Sequence, residues 1–136
     1  MLVTCTTAAG RKALKELHGE SVRIAWLPYD HPGAVRRFLE HFRPRLGVLM
    51  ETEIWPNLLA ACSAYGVPVL LANARMSEKS ALSYQRWRGL TQPAIAALAV
   101  VCAQSEQDAA RLRTLGARRI EITGNVKFDV TPDAAQ

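Results

Sequence analysis

Short apolar runs alternate along the chain with longer segments in which apolar residues recur at helical spacing. In the second of these longer segments, Val35, Leu39 and Phe42 follow an i, i+4, i+7 pattern with charged residues between them. Strands that alternate with helices pair in parallel. The pattern therefore predicts an α/β domain with a parallel sheet and helices on both faces. The apolar runs that predict strands span 1–6, 22–27, 46–50, 67–72, 99–103 and 120–123.

The apolar run at 46–50 leads into an acidic loop, and the rest of the chain is organised around this stretch. The sequence LGVLMETEIWPN places Glu51 and Glu53 directly after a strand. Pro56 suits the first turn of a helix, because its missing N–H has no partner there. Both carboxylates are therefore expected at the carboxyl end of a central strand, where open α/β sheets bind ligands. Glu51 is a candidate functional residue, whereas Trp55 is equally consistent with packing and with ligand contact.

Every predicted strand runs into a polar loop, and parallel pairing brings these loops to one edge of the sheet. The loops are 6–7, 29–31, 51–53, 73–77, 104–106 and 125–129. Helix capping accounts for their hydroxyl side chains, but it gives no role to Glu53, Arg75 or Lys127. The loops at the opposite edge are plainer. This asymmetry predicts a binding or catalytic site at the polar edge.

Composition and motifs exclude several kinds of site. The net charge of +5 favours an anionic partner, but the arginines are scattered without interleaved aromatic residues, so nucleic-acid binding is not predicted. The three cysteines form no C-x-x-C pair and the histidines lack metal-ligand spacing, so no metal is predicted. Dinucleotide-binding and P-loop glycine patterns are absent, and no cofactor is predicted. The sequence has no apolar run of membrane-spanning length.

Other polar and aromatic residues have simpler interpretations. Trp26 lies within a predicted strand and is expected in the core. His31 is expected to belong to a helix-capping region rather than to act as a base. Leu14 and Leu17 are expected to form the apolar stripe of the first helix. Arg111 and the arginines that follow it are expected on a solvated surface.

Five segments in the predicted strand-to-helix loops carry a more specific pattern. In chain order they are LPYD at 27–30, METEIWPN at 50–57, NARMSEKS at 73–80, AQSE at 103–106 and TGNVKFD at 123–129. Together these segments resemble the Kdo transferase family, bacterial enzymes that add 3-deoxy-D-manno-octulosonic acid (Kdo) to a lipid A precursor. The resemblance covers nearly the whole chain, and the acidic Trp-Pro-Asn block is its most specific part.

The resemblance implies a GT-B glycosyltransferase with two Rossmann-like domains, whose amino-terminal domain holds the acceptor. Residues 1–130 resemble the later part of that acceptor domain, and 131–136 resemble a frayed linker towards a donor domain. The resemblance places a membrane anchor, a first β-α unit with the general base, and the CMP-binding domain outside this chain. The implied partners are the CMP-Kdo donor, a lipid A precursor and the cytoplasmic face of the bacterial inner membrane. Alone, the chain is expected to be inactive, with an exposed sheet edge.

The resemblance also assigns roles to individual residues. Glu51 and Lys127 match positions proposed to stabilise the transition state of transfer. Arg75 could bind an acceptor phosphate, or it could form a salt bridge with Glu51 or Glu53. The other residues expected to contact substrate are Glu53, Trp55, Asn73, Ser105 and Asn125.

Two alternatives stay open at this point. One is a small α/β binding or receiver-type module, although a receiver would have an acidic pair after its first strand, and 4–10 contains none. The other is a different GT-B sugar transferase, which the acidic Trp-Pro-Asn block disfavours.

Overall fold

A computed structural model describes residues 1–126, in which strands and helices alternate. The strands are β1 (Leu2–Cys5), β2 (Arg23–Trp26), β3 (Gly47–Met50), β4 (Val69–Ala74), β5 (Val100–Ala103) and β6 (Ile120–Ile122). The helices are α1 (Ala8–His18), α2 (Pro32–Phe42), α3 (Pro56–Ala64), α4 (Glu78–Arg86), α5 (Arg88–Ala96) and α6 (Glu106–Thr114). Every strand pair is parallel, which confirms the predicted Rossmann-like α/β class. No helix of this described part is long and apolar enough to cross a membrane.

Local signals in the sequence set the starts of the helices. Pro56 occupies the first turn of α3, as expected for a residue without an N–H donor. Ser77 caps α4 by accepting a hydrogen bond from the amide of Ser80. His31 caps α2 by accepting from the amide of Gly33 through Nδ1 at 3.3 Å. The prediction that His31 belongs to a capping region is therefore confirmed.

The sheet is divided, which differs from the single sheet that the strand pattern predicts. β1 pairs only with β2, and the other strands form a second sheet in the order β3-β4-β5-β6. A cavity of about 600 Å³ separates β1 from β3, and Leu2, Thr4 and Val48 are among its lining residues. We call this cavity the β1–β3 slot. The β1 and β3 edges that line it have no strand partner in the described part of the chain, as expected for an exposed sheet edge. The prediction that the strand before Glu51 is central is wrong for residues 1–126, because β3 is the edge strand of the larger sheet.

The hydrophobic core lies between the larger sheet and the layer formed by α2 to α6. Its fully buried side chains include Leu59, Leu71 and Ile95, and no described residue before Val35 is buried. Strand residues that alternate with the core-facing ones are half-buried or exposed. We call this surface the open face. It consists of Val48, Met50, Leu70, Ala72, Val100 and Cys102.

Some sequence expectations are wrong for the amino-terminal unit, which consists of β1, α1 and β2. Trp26 is 47% exposed and is not part of the core. The guanidinium of Arg11 lies 5.0 Å from the centroid of its ring. Leu17 is 77% exposed, although the helical pattern places it on the apolar stripe of α1. Both side chains are exposed because no described layer covers α1 and β2.

Arg111 on α6 also departs from the prediction of a solvated surface position. It is half-buried and donates to the carbonyl of Met76 at 3.0 Å.

The cysteines are expected to differ in reactivity. Cys62 is only 4% exposed, and burial raises the pKa of its thiol above the ordinary value. The thiolate is the nucleophile, so we expect Cys62 to react with iodoacetamide at least about tenfold more slowly than Cys102, which is half-exposed on the open face. Mass spectrometry of peptides labelled over time measures both rates. Equal rates would show that α3 opens readily.

Candidate functional site

The carboxyl ends of β3 and β4 each place a residue in the left-handed backbone region. Glu51 has φ of 58° and Asn73 has φ of 52°. Their neighbours Met50 and Ala72 pair across the two strands, and the amide of Glu51 donates to the carbonyl of Ala72 at 2.8 Å. Left-handed geometry costs about 1–2 kcal/mol for most non-glycine residues, and less for asparagine, and it concentrates at functional sites. Two such residues at one sheet edge therefore mark this edge as the candidate site.

The acidic loop after β3 is held by two aromatic side chains. The indole Nε1 of Trp55 donates to Oε2 of Glu53 at 3.3 Å, while its ring packs against the core. The hydroxyl of Tyr84 on α4 donates to the carbonyl of Thr52 at 3.4 Å. Burial raises the pKa of Tyr84 above its ordinary value, so the hydroxyl keeps the proton that this bond requires. The loop is thus fixed from both sides while the Glu51 side chain is exposed.

Asp30 supplies the N-terminal cap of α3 from another loop. Trp55 at the cap position accepts no side-chain hydrogen bond. Instead, the carboxylate of Asp30 accepts from the amides of Asn57 at 3.0 Å and Leu58 at 2.8 Å. The side-chain Nδ2 of Asn57 donates a hydrogen bond to the backbone carbonyl of Asp30 at 2.7 Å. The LPYD and METEIWPN segments therefore form one structural unit, which joins the loop after β2 to the acidic loop.

Removing this cap should destabilise the fold. We expect Asp30→Ala to lower the free energy of unfolding by about 2 kcal/mol, because two partly buried amides lose their acceptor. Asp30→Asn is the matched control and should lose about half as much, since one carbonyl oxygen remains. Urea unfolding measures both values. Equal losses for the two variants would mean that the negative charge at the helix end, rather than the hydrogen bonds, provides the stability.

Asn73 joins β4 to the turn that follows β6. Its side chain is 4% exposed, and its Oδ1 accepts from the amide of Val126 at 3.3 Å. Its carbonyl accepts from Nε2 of Gln104 at 2.9 Å. The register of β4 shifts between Leu71 and Ala74, which accommodates the left-handed residue. Asn73 therefore holds the site together, and its buried amide is poorly placed to reach a substrate.

A network around Asp108 fixes the backbone at Met76, directly after Arg75. Asp108 is 9% exposed, accepts from the amide of Met76 at 2.7 Å and accepts a short hydrogen bond from the hydroxyl of Ser105. Ser105 in turn caps α6 by accepting from the amide of Asp108 at 3.2 Å. The carboxylate of Asp108 therefore links the start of α6 to the loop after β4. Ser105 is therefore engaged within the protein, whereas Arg75 is exposed and has no ion pair in the described part.

The structure brings most of the predicted site residues to one edge. Glu51, Glu53 and Arg75 have side chains in solvent, and the expected salt bridge between Arg75 and either carboxylate is not formed. Asn125 lies half-buried in the turn after β6. Lys127 and the proposed linker lie outside the described residues. The edge is an open surface, since neither the β1–β3 slot nor a second cavity of about 520 Å³ is lined by these residues.

Comparison with protein families explains why these motifs occur together. The chain matches the sequence profile of the 3-deoxy-D-manno-octulosonic-acid transferase (kdotransferase) family over residues 1–130. The chain belongs to this family. The resemblance predicted from the five segments is confirmed.

Individual Kdo transferases are similar along the same stretch. A 3-deoxy-D-manno-octulosonic acid transferase from Bordetella pertussis is 48% identical over 142 aligned positions, covering 100% of this chain and 33% of that protein. One from Haemophilus influenzae is 35% identical over 93% of this chain and 30% of its own length. A probable mitochondrial one from Arabidopsis thaliana is 40% identical over 64% of this chain and 19% of its own length. The chain thus spans about a third or less of the length of these relatives.

Proposed function

We propose that this chain forms the acceptor-side part of an enzyme that transfers Kdo from CMP-Kdo to a lipid A precursor. The observation that carries the proposal is the exposed Glu51 carboxylate. It is held in a left-handed conformation beside Asn73, in a member of the Kdo transferase family. The reaction takes place at the cytoplasmic face of the bacterial inner membrane. The donor is bound by a part of the enzyme that this chain does not supply.

The proposed chemistry requires an anion near the reacting sugar carbon. The bond between that carbon and the CMP phosphate oxygen breaks, and CMP leaves. The acceptor hydroxyl forms the new bond and gives its proton to the general base, which the family resemblance places outside this chain. Positive charge develops on the sugar ring as the phosphate leaves. Glu51 stabilises this charge, and the fixed loop around it spares the reorganisation that a mobile carboxylate would need. Lys127 is proposed to stabilise the departing or sugar anion.

Arg75 is proposed to bind a phosphate of the acceptor. Its guanidinium is exposed and has no carboxylate partner among residues 1–126. The bonds that Asp108 and Arg111 make to Met76 fix the backbone beside it. A guanidinium on a fixed backbone binds phosphate through paired hydrogen bonds.

A chimera tests the proposed function directly. This chain would replace the matching third of the Bordetella pertussis transferase, to which it is 48% identical. We expect the chimera to transfer Kdo from CMP-Kdo to lipid IVA, detected by mass spectrometry of the lipid product. The chain alone should give no product. A well-folded chimera without activity would contradict the proposal, since the rest of the enzyme would come from an active transferase.

Arg75→Gln in the active chimera tests the acceptor site. We expect the KM for lipid IVA to rise about tenfold with kcat changed by less than about threefold, because the lost phosphate contact is the same in substrate and transition state. Arg75→Lys keeps the charge but not the paired geometry. Its KM for lipid IVA should therefore lie between those of Arg75→Gln and the unsubstituted chimera. An unchanged KM in both variants would remove Arg75 from the site.

A further inference from the structure

The cavity of about 520 Å³ lies near the amino ends of β1 and β2. Its lining includes Leu2 and Arg23, the first residues of these two strands, together with His41 near the end of α2. Glu51, by contrast, follows the last residue of β3. The cavity is therefore separate from the candidate site, which lies at the carboxyl ends of β3 and β4.

Basic side chains dominate the lining of this cavity. Arg11, Lys15 and Arg23 line it, and Glu20 is the one carboxylate among the described residues that do so. None of the three cations forms an ion pair within residues 1–126. We call this cavity, with Arg11, Lys15 and Arg23 in its wall, the basic cavity. It presents positive charge that the described part of the protein does not neutralise.

The spacing of the cations on α1 favours an anion in the cavity. Lys12 on the same helix pairs with Glu16, four positions further on, at 3.8 Å. The residue four positions after Arg11 is Lys15, so two like charges share one face of the helix. Like charges at this spacing destabilise a helix, and a bound anion between them would offset the repulsion.

The cavity combines a restrained arginine with apolar walls. The side chain of Arg11 is half-buried, and its guanidinium lies 5.0 Å from the ring centroid of Trp26. A restrained guanidinium loses less freedom when it binds a phosphate. Val22, Ile24 and Phe42 supply apolar surface beside the cations. Apolar walls with a few polar groups are typical of small-molecule sites.

We propose that the basic cavity binds a small organic phosphate of the size of a nucleoside monophosphate. The phosphate group lies among Arg11, Lys15 and Arg23, and the organic group covers the apolar wall. The volume of about 520 Å³ leaves room for more than the phosphate group and lies within the range of about 300–1,000 Å³ for small-molecule sites. This site is distinct from the position proposed for the acceptor phosphate at Arg75, and it does not rest on the proposed function.

Isothermal titration calorimetry of the purified chain with AMP tests the proposal. We expect AMP to bind with a Kd of about 0.1–1 mM. Adenosine and inorganic phosphate should each bind at least about tenfold more weakly, because each lacks one part of the interaction. Arg11→Gln with Arg23→Gln should weaken AMP binding at least about tenfold, since two phosphate ligands are lost.

A matched pair of substitutions separates a specific site from general attraction to a basic protein. Lys12→Gln with Arg36→Gln also removes two positive charges, but neither residue lines the basic cavity. The affinity of this control for AMP should change by less than about twofold. Circular dichroism checks the fold of each variant. If the variant of Arg11 and Arg23 does not fold, Lys15→Glu at an exposed position decides the question, with the same tenfold loss expected.

Amide hydrogen exchange locates the bound nucleotide. At about ten times its Kd, AMP should slow the exchange of β2 amides about tenfold, because binding stabilises the unit that forms the cavity. Amides of β5, which belongs to the other sheet, should not change. The proposal is overturned if AMP does not bind, if adenosine or inorganic phosphate binds as tightly, or if the control pair weakens binding as much as the cavity pair. Protection of β5 rather than β2 would also overturn it. Failure of Kdo transfer in the chimera would leave these binding results unaffected.

Discussion

Replacing Glu51 with alanine in the active chimera is expected to lower kcat by about 100-fold or more, because the variant loses an anion that acts on charge developing in the transition state. The KM values should change little, since the charge on the sugar ring is absent from the bound substrates. Glu51→Gln should be nearly as inactive, because it keeps the size of the side chain but not its charge. Initial rates with CMP-Kdo and lipid IVA measure the effect.

The backbone of Glu51 allows a second test that separates strain from chemistry. Alanine at this position keeps the cost of φ at 58°, whereas glycine adopts that angle freely. We expect Glu51→Gly to be more stable than Glu51→Ala by up to about 1 kcal/mol in urea unfolding. Both variants should be equally inactive. A difference in stability between two equally inactive variants would show that the backbone cost and the role in transfer are separate properties of this position.

Controls define what would contradict this role. Glu16 is an exposed carboxylate on α1, and Glu16→Ala should leave kcat within about twofold of the unsubstituted chimera. A loss of less than tenfold for Glu51→Ala would argue against transition-state stabilisation. The left-handed geometry would then be explained by the turn alone.

Local patterns in the sequence predict most of the secondary structure. The starts of α3 and α4 follow from Pro56 and Ser77, because a proline or a hydroxyl residue acts on the turn that immediately follows it. The parallel arrangement follows from the alternation of strands and helices. The helix start at Pro56 and the parallel strands together predict that Glu51 lies at the carboxyl edge of the sheet, and the structure confirms this position.

Contacts between distant residues are what the sequence patterns could not predict. The cap that Asp30 provides to α3 joins residues 27 and 28 positions apart, and no local spacing indicates it. Asp108 looks like an ordinary capping-box residue, yet it also holds the amide of Met76, 32 positions away. Ser105 is likewise bonded to Asp108, and Asn73 accepts from the amide of Val126, 53 positions away. The resemblance to the family suggests substrate contacts for both residues, and these contacts stay predictions.

The sequence patterns also could not predict which apolar side chains of the amino-terminal unit are exposed. An apolar stripe predicts a buried helix face only where another layer packs on it. Leu17 and Trp26 have no such layer in the described part of the chain and remain exposed. The pattern gave the correct elements in this region, and the missing information was which surfaces are covered.

Amide hydrogen exchange of the purified chain is expected to divide it into two units. Strands β1 and β2 pair only with each other, and no described residue before Val35 is buried. An isolated strand pair is marginally stable. We therefore expect its amides to exchange roughly 100-fold faster than those of β4 and β5, which are paired on both sides and contribute Leu71 and Val101 to the core.

In the chimera, the amides of β1 and β3 should exchange at least about tenfold more slowly than in the chain alone. Two parallel strand edges that face an apolar slot fit one further strand between them, and such a strand would pair with both edges. Amides of β5 are the internal control, because its two neighbours are already in place. Mass spectrometry of peptides from the chain and the chimera compares the same residues in both contexts.

The unfilled slot and the open face also make self-association of the isolated chain the expected behaviour. Unpaired strand edges bind other strands, and exposed residues such as Val48 and Met50 favour apolar contacts between copies. Sedimentation velocity should show dimers or larger species that diminish in the chimera. A monodisperse monomer that melts cooperatively, with equal exchange protection in β1 and β5, would mean that the two sheets are already one stable body. A further strand between β1 and β3 would then not be expected.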